Sequence, residues 1–226
     1  MKREIVRRMK LLATALVLAV SVPVAMAGPP LLCHIFNIGN AKSLPWSAGE
    51  KDWNTPSADY DTRHLVEDTV AILTDSAPVI VRMETIRRAT LYCGKDPTLG
   101  AALLGRFKTL ATGGEQKKRD ALRLFDYGYL VETMKQGSIT RELKDLARTA
   151  GSLDGYSFIQ EALQARGNDP EMEFAAALAT LWPKNEHHQE HFRKAVAGAA
   201  GDSLLAANLL NHFPDRGKTL AELRSY

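Results

Sequence analysis

The chain has 226 residues, with 29 Lys and Arg against 26 Asp and Glu, six His and two Cys. The first 27 residues hold five of those bases, Lys2, Arg3, Arg7, Arg8 and Lys10, and one acid, Glu4, so the remaining 199 carry 24 bases and 25 acids. A near-neutral chain with no basic tract interleaved with aromatics excludes nucleic-acid binding, and its length is enough for one substantial core without a metal or disulfide to rescue it.

In chain order, the basic start, the apolar run "LLATALVLAVSVPVAM" and the triplet Ala25, Met26, Ala27 read as a secretory signal peptide over 1–27, cut before Gly28. Pro23 interrupts the run, which is shorter than the ~20 apolar residues of a spanning helix. The expectation is a bacterial protein exported to the periplasm or beyond, with no membrane association after cleavage. Pro30, Leu31 and Leu32 before Cys33 are the wrong shapes for a lipoprotein peptidase, so Cys33 is read as an internal thiol.

Residues 28–61 form an extended arm. They show no sustained period, and Pro29, Pro30, Pro45 and Pro56 oppose regular structure. Trp46, Trp53 and Tyr60 recur along this arm, either as anchors that pin it to the body or as a groove-lining platform for a ligand.

Residues 62–226 read as a helical domain. Asp61 caps a helix with Val66, Val70 and Leu73 in line, and Ser76 with Pro78 opens the next, carrying Val79, Met83 and Ile86. Its "PVIV" also suits a short buried strand. Asp96-Pro97 opens a helix with Leu99, Leu103, Phe107 and Leu110, closed by "ATGG" at 111–114. A longer helix is expected from Glu115 to about Gln136. Asp154 starts one with Tyr156, Ile159 and Leu163, and Pro170 starts one with Phe174, Leu178 and Leu181, whose Ala175, Ala176, Ala177 and Ala179 allow close helix approach. "HHQEHFRKAVAGAA", a helix with Leu205, Leu209, Leu210 and Phe213, and "TLAELRSY" complete the chain. Short loops make neighbours antiparallel, so the expected fold is all-α, an α-solenoid-like array of helix pairs behind an irregular arm. The segments beginning at Gly128 and Gly155, "GYLVETMKQGS" and "GYSFIQEALQARG", resemble each other, but no longer repeat family is present.

Four constellations bear on chemistry. His187, His188 and His191 have spacings that place two imidazoles on one metal ion, yet a helical wheel puts His188 near the buried face and His187 towards solvent. The metalloprotease pattern H-E-x-x-H is also absent. Cys33-His34 lacks the first cysteine of a haem-attachment motif, and export favours a disulfide between Cys33 and Cys93. Arg82, Glu84, Arg87 and Arg88 read as a solvated helix face with a Glu84–Arg88 pair. Asp169, Glu171 and Glu173 read as the cap and early acids of a helix.

"GPPLLCH" with "IGNAKSLPW", followed by "PVIVRMETIRRA" and "DPEMEFAAAL", resembles a family of exported bacterial proteins without an assigned activity. The resemblance spans most of the residues after the signal and implies export and a shared fold, with no catalytic residue. The functional expectation is an exported binding or structural module for a protein or peptide partner, without cofactor or catalysis of its own. The alternative is a metal-binding protein or metal-dependent enzyme using His187 and His191.

Overall fold

The computed structural model describes residues 29–47, 53–113, 120–139, 141–167, 169–181 and 186–226. The signal segment expected over 1–27 lies outside them. The fold is all-α: among the described residues ten helices pack together behind an irregular arm. They are α1 (Leu65–Ile72), α2 (Val79–Tyr92), α3 (Pro97–Thr112), α4 (Ala121–Gln136), α5 (Lys144–Ala150), α6 (Gly155–Arg166), α7 (Pro170–Leu181), α8 (His188–Gly198), α9 (Leu204–His212) and α10 (Leu220–Ser225). No helix among the described residues is long and apolar enough to cross a membrane.

Most helices begin where a short polar side chain supplies a missing acceptor. Asp96 Oδ1 accepts from Thr98 N–H at 2.9 Å and Leu99 N–H at 3.1 Å, with Pro97 at the first helical position. Asp154 caps α6, Asp169 accepts from Glu171 N–H and Met172 N–H, and Ser203 caps α9. Asp120 caps α4 through Leu122 N–H, so that helix starts at Ala121; residues 114–119, where an earlier start was expected, lie outside the description. "PVIV" is the helical entry to α2. The short α5 carries too little apolar periodicity to stand out in the sequence.

Helix α4 lies at the centre and packs on α2, α3, α5, α6 and α7. Burial on every face explains why Phe125, Asp126, Tyr127, Gly128, Tyr129 and Leu130 are consecutive buried residues rather than one stripe. Where α4 crosses the start of α6, Gly128 and Gly155 meet: a Cβ added to either would stand 2.5 Å from the other's carbonyl oxygen. The two similar "GY" segments therefore supply the two sides of one close crossing. Helix α7 packs closely on α8, and its Ala175, Ala176 and Ala177 are all fully buried.

Cys33 and Cys93 are free thiols, so the expected bridge is not formed. Cys93 is buried at the end of α2, where desolvation pushes its thiol up to about 12. Cys33 sits on the first turn of the arm, its N–H bonded to the Pro29 carbonyl at 3.0 Å. Its neighbour Leu32 meets α2 through the tip of the Arg87 side chain.

Two outcomes follow from this packing. Gly128→Ala is expected to cost about 3 kcal/mol in denaturant unfolding because backbone must move, while Gly105→Ala, into open space on α3, gains about 0.5–1 kcal/mol. Unfolded without reductant, the protein is expected to release two thiols per chain to a chromogenic thiol reagent; none would show that the bridge exists.

Candidate functional site

The arm has no regular structure to pair its backbone groups, and they must be satisfied elsewhere. Helix α2 does this with buried charges. Glu84 and Arg87 are fully buried, and Arg87 grips the carboxylate through both arms of its guanidinium, Nε to Oε2 at 2.8 Å and Nη2 to Oε1 at 2.9 Å. Arg88 Nε adds a bond to Oε1 at 2.7 Å. The remaining capacity goes to the arm: Arg87 Nη1 donates to the carbonyls of Leu32 and Trp53, Arg88 Nη1 donates to that of Leu44, and Phe36 N–H donates to Glu84 Oε2. Leu31 N–H reaches Gln136 of α4 at 2.8 Å. The residues read as a solvated face are thus covered by the arm, which is the correction the structure makes there. Arg82 is buried too, bonded at 2.6 Å to Asp126 of α4.

The aromatic arm residues have separate roles. Trp46 lies over Arg87 and Arg88, with ring-to-Cζ distances of 5.1 and 5.7 Å, and meets Tyr92 edge-on. Tyr92 OH donates to the Pro45 carbonyl at 2.6 Å and accepts from Ser57 N–H at 3.1 Å, joining the two limbs of the arm. Tyr60 packs on Tyr92 and donates to Asp68 at 2.8 Å. Trp53 gives its carbonyl to Arg87 and its side chain to a groove.

That groove, of about 510 Å³, runs between the second limb of the arm, the end of α2 and the start of α5. Trp53, Tyr60, Tyr92, Leu91, Leu99 and Leu143 make it mainly apolar and aromatic; Asp96 and Glu142 add carboxylates, and among the described residues none that lines it is basic. Its size and composition are those of a ligand groove. Two other grooves, of about 540 and 560 Å³, flank α1 and the start of α7, the second of them mostly polar.

The expected histidine constellation is spread over separate hydrogen-bond chains. His188 donates from Nδ1 to the Ala177 carbonyl at 2.7 Å, and its Nε2 accepts from Arg216 at 2.7 Å; burial holds this imidazole below its usual range. Arg216 is itself stacked on Phe192, Phe213 and Tyr226. His191 pairs through Nδ1 with the buried Glu173 carboxylate at 2.5 Å, and through Nε2 with Tyr156 OH at 2.6 Å. His187 is half-buried beside Glu186 and stacks on Tyr156. Both nitrogens of His188 and of His191 are thus committed, and among the described residues no three His, Cys, Asp or Glu side chains gather as a metal site. Glu173 lies in the first turn of α7, as expected of an early helix acid, and is also the end of a Tyr156–His191–Glu173 chain that ties α6, α7 and α8. Such a chain is able to pass a proton from phenol to carboxylate, but the three grooves above are lined by other residues.

Sequence reasoning singled out the groove's Trp53 and Tyr60 and missed Tyr92, Leu91, Asp96 and Leu143, which sit on three other elements. The signal that was present is the recurrence of large aromatics in a segment too irregular to hide them by itself. No family model matches the chain, and neither the curated proteins nor the solved structures contain a match.

Glu84→Gln removes the charge that the buried Arg87 and the partly buried Arg88 share. It is expected to lower unfolding stability by about 3–5 kcal/mol, read by denaturant titration, because a buried unpaired charge is far costlier than a missing exposed pair. A loss below about 1 kcal/mol, the range of an exposed pair, would contradict this reading.

Proposed function

We propose that the protein is an exported bacterial binding module, acting in the periplasm or beyond, that holds an apolar peptide segment bearing a basic residue in the groove between arm and body. The observation that carries this reading is the groove's chemistry: among the described residues its lining is mainly apolar and aromatic, with two carboxylates and no basic group. Aromatic walls contribute contact area at low entropic cost, and Tyr92 and Tyr60 are already fixed by their own hydrogen bonds, so little ordering is paid on binding. Asp96 spends Oδ1 on the α3 cap and retains its second oxygen, and Glu142 is exposed. These carboxylates favour a cationic side chain at the groove's end. Export rests on the basic and apolar start of the chain and its small-residue triplet.

The test is selection of the purified protein against a random-sequence peptide library, followed by affinity measurement on the enriched peptides. The expected result is enrichment of apolar residues next to Lys or Arg. Trp53→Ala and Glu142→Lys are each expected to weaken binding by roughly tenfold, the loss of about 1.4 kcal/mol at a groove contact. Enriched peptides that are acidic, or that bind both variants as tightly as the parent, would overturn the reading.

A further inference from the structure

The Tyr156–His191–Glu173 chain lines none of the three grooves, so it is not placed to act on a held substrate. Its construction is nonetheless that of a base aimed at one phenol. Tyr156 is seated at the start of α6, where its N–H donates to Glu132 of α4 at 3.2 Å. Gln160, one turn on, donates its side-chain amide to the phenol oxygen at 3.3 Å, which leaves the phenol hydrogen for His191 Nε2 at 2.6 Å. The opposite nitrogen of His191 donates to the buried Glu173 carboxylate at 2.5 Å, and Lys194 Nζ stands 3.6 Å from the other oxygen of that group.

Burial, and then the negative charge of Glu173, pushes the Tyr156 phenol up to about 12. Proton transfer by itself is therefore unfavourable at neutral pH. Loss of an electron reverses this, because a phenol radical cation is a strong acid that gives its proton to a base within hydrogen-bond reach.

We propose that Tyr156 is a site of one-electron oxidation, giving an electron to a diffusible oxygen-centred radical and its proton to His191. The phenol O–H bond breaks and an N–H bond forms at His191 Nε2; the electron reduces the oxidant, and the ring is left as a neutral phenoxyl radical. The imidazolium so formed faces Glu173, and a buried cation is tolerated only beside such a partner. No cavity is needed, since an electron crosses a van der Waals contact and Tyr156 is half-buried rather than enclosed.

Other phenols are less suited. Tyr60 donates to the Asp68 carboxylate and Tyr92 to the Pro45 carbonyl; a carboxylate holds a proton roughly 2–3 pH units less firmly than an imidazole, and a carbonyl less firmly still. Tyr129 is fully buried with its hydroxyl unpartnered. Tyr226 is 62% exposed, but the Arg216 guanidinium lies over its ring at 4.8 Å, and a cation there resists the loss of an electron.

The experiment exposes the purified full chain to substoichiometric peroxynitrite in bicarbonate, which supplies the carbonate radical and nitrogen dioxide together, and maps nitrotyrosine by peptide mass spectrometry. The carbonate radical takes the electron; nitrogen dioxide then forms a C–N bond ortho to the phenoxyl oxygen, and the ring hydrogen passes to oxygen to restore the phenol. Exposure alone points to Tyr226, and a positioned base points to Tyr156. The expected result is at least roughly tenfold more nitration at Tyr156 than at Tyr226, a conservative part of the ~10²-fold or more that a positioned base contributes. His191→Gln is expected to lower the yield at Tyr156 by at least roughly tenfold with circular dichroism unchanged. Nitration that follows exposure, with Tyr226 ahead of Tyr156, or an unchanged yield at Tyr156 in His191→Gln would each overturn the proposal. If His191→Gln does not fold, the ratio in the parent decides: one of the expected size supports the proposal and a smaller one overturns it.

Discussion

The Glu84 carboxylate is buried between Arg87 and Arg88, and this cluster bonds the arm at four places, Leu32, Phe36, Leu44 and Trp53, while Gln136 of α4 and Asn208 of α9 hold Leu31 and Asn37. A buried ion pair repays its desolvation only when its remaining donors and acceptors are filled. Here the filling groups are the backbone carbonyls of Leu32, Leu44 and Trp53 and the N–H of Phe36. The dependence is mutual. The arm, which pairs only part of its own backbone through isolated turns and the Trp46–Pro56 bridge, needs fixed donors, and the arginines need acceptors that the irregular chain brings to one place. Leu31, Leu32, Phe36 and Leu44 then enter the common core, so the arm is part of the fold rather than an appendage.

From this seating the groove follows. Arg87 fixes the Trp53 carbonyl and Tyr92 fixes Pro45 and Ser57, which sets the distance between the arm's second limb and the end of α2. A groove built in this way is preformed, and its walls come from segments held by polar bonds that do not themselves face a ligand. The aromatic cage of Phe36 and Phe174 around His212 is a second product of the same seating, because Phe36 is placed by Glu84.

The helices were readable in the sequence because their caps and apolar spacings are local. Asp96-Pro97, Asp154 and Pro170 each mark a start that the structure keeps. What covers a helix face is not local. Glu84 and Arg88 have the spacing of an exposed pair, and only an aperiodic segment more than forty residues earlier decides that Glu84 is buried and Arg88 partly covered. The same limit separates the two sets of histidines. Sequence spacing identified His188 and His191 as neighbours, but not that Arg216, Glu173 and Tyr156 would occupy their nitrogens. It gave no hint that His34 and His212, near opposite ends of the chain, would meet. The disulfide expectation rested on an expected compartment and on cysteine count, neither of which says where the arm lands, and both thiols are free.

The most direct measurement is amide hydrogen exchange at Leu31 and Phe36, whose N–H groups bond to Gln136 and Glu84. If buried charge seats the arm, both amides exchange only through global unfolding, with protection matching that of central α4 amides. Exchange of Leu31 and Phe36 at the rate of an unstructured chain, while α4 stays protected, would contradict the account.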